Sequence, residues 1–264
     1  NFETTNRAPL RSLEYRKVDF LKDLMYQRAE ELTNKNNTIQ FFWSGGVDST
    51  AALLVLKDIC PKDQLLIQMT PTSIEENPVI WNRLVKNFHH NIYTGDHLFE
   101  VANTKNVVVE CGSADTLWNS TNPFDEKLPS DFFQQKNEEI YSYGTEERYK
   151  VITSTNAKRR WYMRMRFAHS HKRYRFFTHS KEHKLNLNNI NPFYDTPNIE
   201  QYFMNKIIDG TLTHTDRADN IYLTTKPELR DIIREYDKDV GDNLLAKLSI
   251  RGNETSITRH IQGK

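Results

Sequence analysis

The sequence predicts an α/β fold in which a parallel sheet is flanked by helices and followed by a mostly helical C-terminal part. The first observation is an apolar run over 38–43 that passes through a glycine pair into a helical pattern over 48–59. The second is that strand-like runs recur at 64–69 and 107–111. Strands that alternate with helices along a chain are typical of parallel sheets.

Helices are predicted on both sides of these strands. Apolar side chains over 14–34 fall near one face, so this segment is expected to be an amphipathic helix that covers one side of the sheet. Asn77-Pro78 is a helix-start signal, and that helix is expected to end at about His89-His90. A short strand over 91–95 and a short helix over 96–102 follow. Later helices are predicted at 198–208, 226–237 and 240–249.

The chain is expected to divide into an α/β core with an N-terminal helix over 1–120 and a mostly helical, basic part over 121–264. The second part is expected to complete the ligand-binding site of the core and not to continue its sheet. The 264 residues carry a formal charge of +1, so the overall charge indicates no particular partner. Two cysteines argue against a disulfide scaffold and fit a reducing, cytoplasmic setting. No apolar run approaches the length of a membrane span, so no membrane association is expected.

The turn after the first strand is the strongest functional signal. It reads Ser44-Gly45-Gly46-Val47-Asp48-Ser49-Thr50 and leads into a helix. The first turn of a helix has N–H groups without acceptors, and its dipole favours anions there. Ser44, Ser49 and Thr50 add hydroxyl donors, while Asp48 could cap the helix or hold a metal ion that bridges phosphates. The segment is therefore expected to bind phosphate, although it lacks the lysine of the common phosphate loop.

Two other strand ends are expected beside this turn. The strand at 64–69 should lie parallel to the first, so the main chain near Met69 is a candidate contact for adenine. The strand at 107–111 runs into Gly112 and Asp115, in a stretch of small residues that also resembles a binding site.

Ser-Gly-Gly-Val-Asp-Ser after a strand resembles the pyrophosphate loop of the ATP pyrophosphatases, which cleave ATP between its α and β phosphates. Later segments narrow the resemblance to asparagine synthetase-like proteins. Asp115, Leu117 and Trp118 match the Asp-x-Leu-Phe part of a second family motif. The segment over 191–196 resembles the family's Pro-Phe-Leu-Asp, and 226–230 resembles its Lys-x-x-Leu-Arg helix. Lys247 falls where the family has a lysine that stabilises phosphate charge.

The resemblance implies an adenine nucleotide alpha hydrolase-like fold and an AMP- and pyrophosphate-forming ligase with ATP and Mg²⁺. ATP would bind over the turn and Gly112, with Mg²⁺ on Asp48 and Asp115. A substrate carboxylate would be adenylated and passed to ammonia or an amine. The catalytic residues would be Lys247, Asp115 and Glu110. However, Cys111-Gly112 occupies the place of the family's catalytic glutamate, with Glu110 only nearby. The family's glutaminase domain is also not expected.

Two alternatives remain open. Residues 158–184 carry ten lysines and arginines against one acid, with interleaved aromatic residues, so the chain could instead adenylate a nucleic-acid base or nucleotide. The same segment is also explained by a basic amphipathic helix with solvated charges, or by a basic wall that serves the triphosphate. Because the motif glutamate is missing, a degenerate nucleotide-binding or interaction module without catalysis is the other alternative.

Overall fold

The computed structural model describes residues 16–34, 38–93, 106–111, 114, 190–209, 211 and 226–243. Within them, five parallel strands form one sheet in the order β3-β2-β1-β4-β5. The strands are β1 (Ile39–Phe42), β2 (Leu65–Met69), β3 (His89–Ile92), β4 (Val107–Glu110) and β5 (Ile190–Pro192). This confirms the predicted α/β class and the parallel sheet.

The helices are α1 (Leu21–Thr33), α2 (Val47–Ile59), α3 (Pro71–Glu76), α4 (Pro78–Arg83), α5 (Pro197–Ile208), α6 (Pro227–Tyr236) and α7 (Lys238–Asn243). Short 3₁₀ turns cover Lys62–Gln64 and Val85–Asn87. Within the described ranges, no helix combines the length and apolar character needed to cross a bilayer.

Helix α2 lies at the centre of the core. Every residue of β1 and of β4 is buried, which explains why both strands are mainly apolar, although Gln40 and Glu110 are buried with them. Residues from Asp48 to Leu56 in α2 are all buried as well. Helices α1 and α6 both pack against α2. The first turn of α2 is consequently held from several sides, and it follows directly on the glycine turn.

The prediction that a helix begins near residue 14 is wrong for the described part of that segment, because α1 begins at Leu21 and residues 16–20 are not helical. The side chain of Asn205 explains the difference. Its Oδ1 accepts from the Arg16 N–H at 3.2 Å, and its Nδ2 donates to the Arg16 carbonyl at 2.6 Å. This pairing with α5 occupies both main-chain polar groups of Arg16, including the carbonyl that would accept a hydrogen bond within a helix.

The helix expected to end at His89-His90 also ends earlier. Helix α4 stops at Arg83 and a 3₁₀ turn follows, while His89 and His90 lie in β3 and pair with Leu66 and Ile67 of β2. The backbone hydrogen bonds available at the edge of β2 therefore outweigh the helical pattern of the sequence near His89 and His90. The helix expected over 96–102 lies outside the described residues.

The expectation that the second half does not continue the sheet is wrong at β5. This three-residue strand pairs in parallel with β4, with Ile190 opposite Val108 and Pro192 opposite Glu110. Proline is compatible with a strand at the edge of a sheet. Helices α5, α6 and α7 do agree with the predicted helical segments, and the part of the last prediction beyond residue 243 lies outside the described residues.

Candidate functional site

The glycine turn lies where the strand order of the sheet reverses. From β1 the chain moves outward to β2 and β3, and it returns to the other side of β1 for β4 and β5. The carboxyl ends of β1 and β4 therefore border the crevice in which open α/β sheets bind ligands. The turn at 44–46 follows β1 directly, so the fold brings the predicted phosphate-binding segment to this crevice.

Gly45 is required by two features of the turn. Its φ is +80°, a conformation that side chains strongly disfavour. A Cβ at this position would also lie 2.4 Å from the carbonyl oxygen of Ser73 in α3. In addition, Asn77 Nδ2 donates to the Gly45 carbonyl at 3.3 Å. The turn is thus held closely against the segment that follows β2.

The hydroxyl groups of the turn stabilise its shape. Ser49 Oγ accepts from the Ser44 N–H at 3.1 Å and lies 3.0 Å from Ser44 Oγ. Thr50 Oγ1 accepts from Trp43 Nε1 at 3.1 Å and donates to the Gly45 carbonyl at 3.3 Å. Thr50 is completely buried, whereas Ser44 is exposed. Of the three predicted hydroxyl donors, Ser44 is thus the one presented to solvent.

The first turn of α2 has the features that favour anion binding at a helix end. Its N-cap is Gly46, whose φ of −73° and ψ of 170° are extended, and glycine offers no side chain to cap the free N–H groups. Such groups attract negative charge, and the helix dipole adds to the attraction. Asp48 lies in this same turn and is 6% exposed.

The Asp48 carboxylate is paired with Lys226, at the start of α6. Lys226 Nζ donates to Oδ1 and to Oδ2, each at 2.6 Å. The two side chains are only 8% and 10% exposed, so this is a buried ion pair. The lysine comes from 178 residues further along the chain.

The backbone of Lys226 is unusual. It is the only non-glycine residue with positive φ among those described, with φ 58° and ψ 54°, and it precedes Pro227. A side chain in this left-handed region costs free energy, and such strain often occurs at functional positions. The geometry directs the lysine to Asp48.

Arg230, one helical turn after Lys226, adds a second cation near the site. It is 1% exposed, and its Nη1 donates to the Gly241 carbonyl at 3.3 Å. Burial lowers the pKa of Arg230, the positive charge of Arg234 lowers it further, and the negative charge of Asp48 opposes both. Arginine remains charged under such shifts. Arg230 is therefore a buried cation within electrostatic range of Asp48.

Tyr194 connects β5 to the same turn. It is fully buried, and its Oη donates to the main-chain carbonyl of Asp48 at 2.8 Å. Burial raises its pKa well above the usual value, and electrostatic interactions with Cys111 and Asp48 add to the rise. The hydroxyl consequently stays protonated as a donor. The Phe193 N–H, one residue earlier, donates to the Glu110 carbonyl at 2.8 Å, so the ends of β4 and β5 converge on α2.

Among the other predicted site residues, two lie in the described part of the chain and the rest lie outside it. Met69 is buried at the end of β2, and its carbonyl accepts from the Tyr93 N–H at 2.8 Å. Glu110 ends β4 and is 8% exposed. Gly112, Asp115, Lys247 and the basic segment over 158–184 lie outside the described residues.

The described donors suit a hard divalent cation only in part. No group of three or more His, Cys, Asp or Glu side chains converges within the part of the chain that the structure describes. Mg²⁺ commonly binds through one or two carboxylates together with substrate phosphates and water. Each Asp48 oxygen accepts one hydrogen bond from Lys226, and a carboxylate oxygen has a second lone pair. Asp48 thus fits a metal ion that arrives with phosphate groups.

Sequence reasoning missed the contacts made by Lys226 and Tyr194. From the sequence, Lys226 is only the first residue of the segment that resembles a Lys-x-x-Leu-Arg helix, and Tyr194 is only part of the segment over 191–196 that resembles Pro-Phe-Leu-Asp. The tyrosine stands where the family segment has leucine, which was the available signal. Nothing local links either residue to Asp48, because both contacts depend on the fold.

In comparisons with known proteins, no family model matches this chain and no curated protein sequence matches it.

Proposed function

We propose that this protein is an ATP-dependent ligase that forms AMP and pyrophosphate, adenylating a carboxylate and passing it to ammonia or an amine. The observation that carries the proposal is the buried pair of Lys226 with Asp48 at the start of α2, directly after a glycine turn. A turn that offers free N–H groups, with a lysine at its edge, supports binding of a polyphosphate.

Lys226 supplies what the turn itself lacks. The common phosphate loop carries its lysine within its own sequence, after the second glycine. Here no lysine follows Gly45-Gly46 until Lys57, whose ammonium pairs with Asp58. The ammonium of Lys226 arrives instead from the helix packed against α2. Arg230 is a second buried cation within electrostatic range of Asp48, and cations beside a helix N-terminus favour an anionic ligand.

The choice of ATP cleavage between the α and β phosphates rests on the resemblance of Ser-Gly-Gly-Val-Asp-Ser to a pyrophosphate loop. In this reaction a carboxylate oxygen of the substrate attacks the α phosphorus, and the bond to the bridging oxygen breaks. Pyrophosphate leaves with the electron pair, and an acyl-adenylate remains. The nitrogen of the amine then attacks the acyl carbon, AMP leaves, and the proton from nitrogen passes to solvent.

The residues of the chain act mainly by positioning and by neutralising charge. The N–H groups of the first turn of α2 would bind the β and γ phosphates, with Ser44 adding a hydroxyl donor. Lys226 would neutralise charge that develops on the departing pyrophosphate. Tyr194 would hold the main chain of Asp48 in place. Bound at Asp48, Mg²⁺ would supply Lewis-acid stabilisation of the phosphate oxygens.

The test is a pyrophosphate-release assay over a panel of carboxylic acids and amines. We expect release that depends on both substrates and that falls at least a hundredfold in Asp48→Ala and in Lys226→Met. The matched control is Lys206→Met, which removes a lysine that pairs with Glu228 between α5 and α6 and not with Asp48. Equal trace release by all variants would reject the ligase. Nucleotide binding without turnover would instead favour a module without catalysis.

A further inference from the structure

The Asp48 carboxylate is a poor site for a metal ion that arrives alone, because a buried ammonium is already bound to both of its oxygens. The ammonium of Lys226 lies 2.6 Å from both of its oxygens, and the pair is nearly enclosed. A divalent cation at the same carboxylate would stand within a few ångströms of this ammonium. Like charges repel strongly at such separations where water is largely excluded.

Only the side chain of Lys226 is able to move away. Its backbone is fixed by the start of α6, where Leu229 and Ile233 are fully buried and pack into the core. Arg230 anchors the same helix to α7 through the Gly241 carbonyl. The lysine stem is flexible, so its ammonium can change partner without movement of the helix.

A bound polyphosphate makes it more favourable for the metal ion and the Lys226 ammonium to lie close together. It brings acceptor oxygens for the ammonium and negative charge that offsets the repulsion from a metal ion. With phosphate present, the ammonium can stay hydrogen-bonded to Asp48 while the metal ion uses the second lone pair of each carboxylate oxygen. It can also move entirely to a phosphate oxygen. Without phosphate, displacement of the ammonium would separate a buried cation from its carboxylate partner, which is unfavourable.

We propose that the Lys226–Asp48 pair makes divalent-metal binding depend on nucleotide. Lys226 is the counter-ion of Asp48 until a nucleotide arrives, and its ammonium then passes to a phosphate while Asp48 takes the metal. This inference rests on the proposed nucleotide site. It states that the metal ion binds at that site together with the nucleotide and not before it.

The test uses Mn²⁺ alone as the probe and follows free Mn²⁺ by electron paramagnetic resonance. We expect wild type to bind Mn²⁺ only weakly at Asp48, and Lys226→Met to bind it at least tenfold more tightly. The gain should disappear in the double variant Asp48→Asn/Lys226→Met. Lys206→Met is the matched control and should behave as wild type.

A second measurement keeps the proposal testable if Lys226→Met does not fold. The ammonium of Lys226 in the wild-type protein is followed by nitrogen-15 NMR. Its signal should be unchanged by Mg²⁺ alone and should shift when Mg²⁺ is added with α,β-methylene-ATP. A shift with Mg²⁺ alone would overturn the proposal, as would equal Mn²⁺ affinity in wild type and Lys226→Met.

Failure of the proposed function has a different signature. If wild type binds no α,β-methylene-ATP in calorimetry, the nucleotide site is rejected and the nucleotide-linked exchange with it. If wild type binds the nucleotide but Mn²⁺ alone binds Asp48 tightly, the proposed function survives and only the binding order is overturned.

Discussion

Replacing Gly45 by alanine should distort the turn because of two separate effects. A positive φ costs a non-glycine residue about 1–2 kcal/mol. The new Cβ would lie 2.4 Å from the Ser73 carbonyl oxygen, a backbone atom that moves only if α3 shifts. Such crowding typically costs about 1–3 kcal/mol. The lower entropy of alanine in the unfolded chain offsets about 0.4–1 kcal/mol. We therefore expect Gly45→Ala to lose about 3 kcal/mol of unfolding free energy.

Urea unfolding followed by far-ultraviolet circular dichroism measures this loss. Gly46→Ala is the matched control, because its φ of −73° is open to any residue and an alanine N-cap costs only about 1 kcal/mol. Gly45→Ala should also lose nucleotide binding, since the turn and α3 would separate. Equal destabilisation by the two substitutions would refute the reasoning about the turn.

Three further predictions concern the contacts around the site and the core. Tyr194→Phe removes the hydrogen bond to the Asp48 carbonyl, so it should cost about 1 kcal/mol in urea unfolding and weaken α,β-methylene-ATP binding about fivefold in calorimetry. Unchanged affinity would contradict the positioning role. Lys226→Met should cost about 3–5 kcal/mol of unfolding free energy by leaving Asp48 buried without its partner. Adding Asp48→Asn should restore much of this loss. Simple additivity of the two substitutions in a double-mutant cycle would contradict the pair. Burial and the hydrogen bond to Asp58 raise the pKa of Tyr26 to about 12, so the stability it contributes is complete below pH 10 and is lost as pH rises to 12. In urea unfolding between pH 10 and pH 12, Tyr26→Phe should lose less unfolding free energy than the wild type.

The part of the fold that the sequence predicts best is governed by local signals. The strand at Ile39–Phe42, the glycine turn and the helix at Val47–Ile59 follow one another, and each has a strong pattern of its own. Helix α3 also had a local signal that was overlooked. Thr70 and Ser73 form a reciprocal cap, and Pro71 occupies the first helical position.

The elements that sequence reasoning missed depend on distant partners. The start of α1 is decided by Asn205. The short strand expected over 91–95 is found as β3, but it begins earlier, at His89, because it pairs with the edge of β2. Strand β5 is too short for periodicity to reveal it. The same distinction applies to the site, where the turn was predicted correctly in position but the Lys226–Asp48 contact joins residues 178 positions apart.

A crystal structure with Mg²⁺ and α,β-methylene-ATP tests the proposed nucleotide site most directly. We expect the triphosphate to lie over residues 44–49, at the first turn of α2. Lys226 Nζ should then lie within hydrogen-bonding distance of a phosphate oxygen, with the metal ion on Asp48. A nucleotide bound elsewhere, or Lys226 still paired with both Asp48 oxygens beside a bound triphosphate, would contradict it.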